Sequence, residues 1–232
     1  MCQNLLGSEG KKTSRLLILA CAVLEREIGR FQNGCLEVKF FDYGLHRTPE
    51  NMSRALQVEI DQACEKDYDA IVLGYGLCSN GVVGIEARNI PLYIPRVHDC
   101  IALFLGSIES YRLESSTHPG TYYLTPGWIE KGETPLSKYE SYAQSYDEET
   151  ARWVIHEEMK NYTRIAFIDT GVSPTEPYRK VALKNAEFLD ISYQELQGSP
   201  RFFKELVCGP RERNFLLVES NHRILQERFL DL

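Results

Sequence analysis

No apolar run in this chain is longer than a strand. A helix that crosses a bilayer needs about 20 consecutive apolar residues, so no membrane span is expected. The opening stretch, MCQNLLGSEGKKTSR, lacks the apolar block of a secretory signal. No Lys/Arg-rich run occurs, and the net charge is −7. Neither nucleic acid nor an anionic membrane surface is therefore an expected partner. There is no low-complexity segment. Several motifs of known chemistry are missing too. GxxxxGK[ST], GxGxxG and GxSxG are absent, and Lys160 and Asn161 stand where HExxH would need a second histidine after His156-Glu157.

What the chain does have is the composition of a globular protein. Its 232 residues are 43% hydrophobic and 25% charged, enough for a sizeable core. Seven cysteines are an odd count at irregular spacing. Without a secretory signal they read as reduced thiols of a cytoplasmic protein rather than as disulfides.

Strand and helix patterns alternate along the sequence. Leu16–Ala20, Leu36–Asp42, Ala70–Tyr75 and Pro91–Val97 read as strands, with helices over 22–30, from Pro49 to Lys66, and from Asp99 through Ile108. Thr121–Leu124 reads as a fifth strand. The polar stretch from Ser137 to Asn161 reads as a helix or helix pair. Beyond it, Ile165–Asp169, Phe188–Ser192 and Phe215–Glu219 read as strands and Glu176–Ala186 and Pro200–Val207 as helices. The expected fold is α/β. Doubly wound, mostly parallel sheets would form two Rossmann-like βα units, 1–130 and 162–232, joined by a helical arm over 131–161.

In such a sheet, the residues just past the strand carboxyl ends line one crevice. Cys21, Cys78, His98 and Cys100 each follow a strand in this way. If the first, third and fourth strands lie side by side, the four meet. Three thiols and an imidazole suffice for a soft metal, with zinc first and an iron–sulfur cluster second. Each residue also has a plainer reading. Cys21 could be a small buried apolar residue, the turn around Cys78 a simple tight turn, and His98 a satisfied core histidine. Asp99 could cap the following helix or orient His98, and His98 and Asp99 are the acid–base candidates. A Cys–His dyad from Cys78 or Cys100 with His98 would compete for the same atoms. In GYGLCSNG, Gly74 and Gly76 let the backbone approach a ligand, and Ser79 and Asn80 can contact it. Tyr123 and Trp128 can wall a flat ligand. Asp169-Thr170-Gly171 either faces the crevice or makes a turn. Cys2, Cys35, Cys64 and Cys208 read as structural, and His46, His118 and His222 have no clustered partners in sequence.

Three blocks resemble a known family. Leu73–Gly81 (LGYGLCSNG), Pro95–Gly106 (PRVHDCIALFLG) and Pro119–Ile129 (PGTYYLTPGWI) are similar to the DUF1638 family of uncharacterised proteins from anaerobic bacteria and methanogenic archaea. Cys21, Cys78, His98 and Cys100 look like its signature positions. The resemblance implies an association with corrinoid-dependent methyl transfer, with the corrinoid borne by a partner protein.

Two functions are therefore expected. One is a metalloprotein acting on a small ligand, in methyl or other small-group transfer. The other is a non-enzymatic metal or cofactor carrier, sensor or assembly factor. A folded domain with reduced cysteines and no metal is the plainest alternative. A homodimer is expected on general grounds alone.

Overall fold

The computed structural model describes residues 15–32, 36–210 and 213–229. Two sheets organise it. The first has strand order β2 (Leu36–Phe41), β1 (Leu16–Cys21), β3 (Ala70–Gly74), β4 (Leu92–Pro95), β8 (Phe215–Val218), and the second β5 (Thr121–Leu124), β6 (Arg164–Asp169), β7 (Ser192–Gln197). In the first sheet, β1 (Leu16–Cys21), β2 (Leu36–Phe41), β3 (Ala70–Gly74) and β4 (Leu92–Pro95) run parallel. The last strand, β8 (Phe215–Val218), returns to pair antiparallel with β4.

The second sheet holds β5 (Thr121–Leu124), β6 (Arg164–Asp169) and β7 (Ser192–Gln197), all parallel. The expected α/β class with mostly parallel sheets is what the structure has. Among the described residues, no helix is long and apolar enough to cross a membrane.

Burial follows the sequence pattern. Every residue of β1 and of β3 is buried, as continuous apolar runs require when both faces are covered. β2, at the edge, alternates exposed and half-buried positions. After the short helix α1 (Glu25–Gly29), the long helix α2 (Pro49–Ala63) starts with proline in its first turn and buries Met52, Leu56, Ile60 and Ala63 on one face.

Two sequence boundaries move. The helix expected from Asp99 through Ile108 is two helices, α3 (Ile101–Leu105) and α4 (Ile108–Thr117). Gly106 ends α3 at φ 80°, against Ser199. The strand expected at Phe188–Ser192 lies further on, because α8 (Glu176–Leu189) continues and turns at Asp190, φ 54°. Ser137–Asn161 is a helix pair, Pro135–Tyr142 and Glu148–Met159.

Candidate functional site

The order β2-β1-β3-β4 puts the carboxyl ends of β1, β3 and β4 together, so the residues after them converge as the strand-end rule requires. Tyr75 lies at the centre. It is 1% exposed. The thiols of Cys21, Cys78 and Cys100 all act on its phenol and, after burial itself, push its pKa up.

The three thiols share this environment. All are free. Burial pushes Cys21 up to about 11, against the backbone N–H of Val23 at the start of the following turn. Burial also pushes Cys78 up, with the Asp99 carboxylate second; the N–H groups of Gly76 and Cys100 pull the other way. Cys100 is raised by burial, by Asp99 and by the other two thiols. In a low-dielectric site without a cation, three thiolates would repel one another, so the protonated forms prevail.

The turn that carries Cys78 has an unusual backbone. Cys78, Ser79 and Asn80 have φ of 46°, 55° and 66°. Each such non-glycine residue costs of order 1–3 kcal/mol and persists only where its surroundings dictate it. Here Leu77 N–H donates to the Val97 carbonyl (2.9 Å), Cys78 N–H to the His98 carbonyl (3.1 Å), and Gly81 N–H to the Cys78 carbonyl (3.0 Å). The positive φ expected from the glycines thus falls on their neighbours. Gly74 and Gly76 serve close packing instead. A Cβ on Gly74 would sit 2.5 Å from Ala20 Cβ, and one on Gly76 would sit 2.8 Å from the Val97 carbonyl oxygen.

A pocket of about 450 Å³ opens above Cys78 and Cys100. Ser79 and Asp99 line it from the first sheet, and Tyr122 and Tyr123 from β5 of the second. Trp128 lines it from α5 (Pro126–Lys131), whose first turn is capped by Thr125 Oγ1 accepting from Trp128 N–H. The helix α4 adds Tyr111. Asp99 caps α3, its carboxylate accepting from Ile101 N–H (2.8 Å).

The imidazole in this pocket is His46, which sequence reasoning set aside. It lies in the turn Tyr43–Arg47 after β2. Its ring is 5.8 Å from that of Tyr75, and burial lowers its pKa, against the pull of Asp99. His46 Nε2 and Tyr75 Oη are both buried with no hydrogen-bond partner among the described residues, and so is Tyr123 Oη. His98, by contrast, is exposed and does not line the pocket, nor does Asn80. The strand-end rule, applied to β2 as it was to β1, would have found His46. His118 also lines the pocket, 3.7 Å from Glu114.

Among the described residues, no three His, Cys, Asp or Glu side chains are drawn into a metal-ligating group. The thiols converge on Tyr75 without closing into a coordination shell.

The family model for a protein of unknown function (DUF1638) matches residues 40–207. The chain belongs to the DUF1638 family. That match contains the pocket turn, His46, Cys78 and Cys100; Cys21 precedes it. No curated protein matches the chain, and no solved structure does.

Of the other predicted residues, Cys64 donates from its thiol to the Ile60 carbonyl (3.2 Å), away from the pocket. Cys208 is disulfide-bonded, which corrects the expectation of reduced thiols at that position. Cys2 and Cys35 lie outside the described residues. Asp169-Thr170-Gly171 makes a turn that ties the two sheets. Gly171 N–H donates to Asp169 Oδ1 (2.8 Å), and Thr170 Oγ1 donates to Glu27 Oε1 (3.0 Å).

Proposed function

We propose that this protein binds a soft metal ion, zinc first, at Cys21, Cys78 and Cys100 with His46 as the fourth donor, and that the site serves a small ligand in the pocket above it. One observation carries the reading. Three free thiols act on a buried tyrosine, and among the described residues His46 Nε2 and Tyr75 Oη have no hydrogen-bond partner. Buried polar atoms are normally paired, so unpaired ones mark a place for something else to bind.

The electrostatics favour a cation. Among the described residues, the lining includes the Asp99 carboxylate and two thiols but no lysine or arginine. A soft cation would replace the thiol protons and offset the burial, and after it the repulsion, that keep the thiols neutral. The donor set suits zinc or an iron–sulfur cluster by its softness. Closing a coordination shell requires the cysteine and histidine side chains to turn toward one another from their present positions.

A bound metal would supply a stabilised thiolate at neutral pH. The protein's own groups would do the rest. Tyr75 Oη can donate to a thiolate sulfur, and Asp99 can hold a positively charged group at the pocket floor. Methyl or other small-group transfer is the reaction class this arrangement would serve, with a corrinoid protein as the exchange partner that the family resemblance suggests. The non-enzymatic alternative, a metal carrier or sensor, uses the same ligands but does not need the pocket.

A zinc competition titration on anaerobically prepared protein tests the reading. Tight binding in the wild type and its loss in Cys100→Ser support it. Equal affinity in both removes it.

A further inference from the structure

We infer that the pocket takes a small organic cation of the quaternary ammonium or sulfonium type, which rests on the reading of this pocket as the ligand site. Five aromatic residues line it, namely Tyr111, Tyr122, Tyr123, Trp128 and Tyr162. The polar tips of two are turned away. Tyr122 Oη and Trp128 Nε1 both donate to the Glu133 carbonyl, at 3.1 and 2.9 Å. What they offer the pocket is therefore ring carbon.

An onium group has no N–H to donate, so hydrogen-bond acceptors cannot replace its water. Aromatic rings can, through their negative faces. Elsewhere in the molecule such rings already have a cation. Arg26 lies over Tyr178, Arg47 over Tyr43 and Arg152 over Tyr139. Among the described residues, no lysine or arginine lies over the five rings of the pocket.

The charges agree with the rings. Asp99 is a lining carboxylate, and among the described residues no lysine or arginine lines the pocket to neutralise it. His118 has the Glu114 carboxylate beside it. Arg164, which reaches Thr121 of the lining, is bound to Glu114 and Thr121. A neutral flat ligand would leave the Asp99 charge without a counter-ion, and an anion would meet it directly. The volume of about 450 Å³ suits a ligand of small-molecule size.

The test is calorimetric titration of the full chain with choline and with its neutral isostere, in which carbon replaces the quaternary nitrogen. Choline should bind at least about tenfold more tightly, because the isostere keeps the shape and loses the charge. Asp99→Asn should cut most of that preference while keeping the helix cap, since asparagine can also accept from Ile101 N–H. Tyr111→Leu, on the rim, should weaken choline alone. Equal binding of the two probes, or binding of neither, overturns the inference. Metal content measured on the same samples keeps the two readings apart. A metal-loaded chain without the choline preference refutes only this inference, and a choline-selective chain that never binds metal refutes only the metal site.

Discussion

The rings of His46 and Tyr75 stand 5.8 Å apart with planes tilted by 38°, and among the described residues neither His46 Nε2 nor Tyr75 Oη has a hydrogen-bond partner. Leaving such a group buried and unpaired costs about 1–3 kcal/mol. The proposed ligand site would give both of them a partner.

Tyr75→Phe separates these explanations. It removes an unpaired hydroxyl and keeps the ring, so the melting temperature should hold or rise. Zinc affinity should fall by about tenfold if the hydroxyl supports a thiolate ligand. Unchanged affinity in a competition titration would leave the hydroxyl without a role at the site.

The thiols divide by position. Cys78→Ser and Cys100→Ser should lose metal while keeping a native circular-dichroism spectrum. Cys64→Ser should retain metal, because that thiol is committed to the Ile60 carbonyl. Metal loss in Cys64→Ser, or retention in both of the others, would show that the strand-end cluster is not the binding site.

The meeting of the three thiols was legible from the strand-end rule. LLILAC and AIVLG are continuous apolar runs, and both are buried throughout. The order of the first four strands then brings Cys21, Cys78 and Cys100 together. His46 was missed because it sits in a short turn after an edge strand, where no periodic signal marks it. His98 was chosen because it is adjacent to Cys100 in sequence. Its backbone carbonyl does serve the turn, accepting from Cys78 N–H, while its side chain is exposed. Sheet membership was beyond a local pattern. Nothing within Thr121–Leu124 or Phe215–Val218 says that the first joins β6 and the second returns to β4.

Gly74 is a packing position. In Gly74→Ala the new methyl would meet Ala20 Cβ at 2.5 Å and Ala20 Cα at 3.1 Å. Neither is the end of a flexible side chain, so β1 and β3 would have to separate. A loss of about 1–3 kcal/mol is expected from urea denaturation. A change within about 0.5 kcal/mol, the usual range of a neutral surface substitution, would mean that the sheet adjusts freely.

Glu27 gives the fold a pH dependence. It is fully buried, with Thr170 Oγ1 donating to Oε1 and with Oε2 unpartnered among the described residues. Burial raises its pKa from 4.5 to about 7. The folded state therefore holds a proton that the unfolded chain has released. Its contribution is complete below pH about 4.5 and is lost as pH rises through about 7, up to about 3 kcal/mol in all. Thermal melts from pH 5 to 8 should show this loss in the wild type and a flatter profile in Glu27→Gln. Parallel profiles would assign the pH dependence to other groups.

The most direct test of the central claim is elemental analysis, with an ultraviolet–visible spectrum, of the chain purified without oxygen. The account predicts about one zinc per chain and no visible band, or iron with a broad visible absorbance if a cluster takes the same thiols. Protein that holds neither metal, even after anaerobic reconstitution with each, would contradict it.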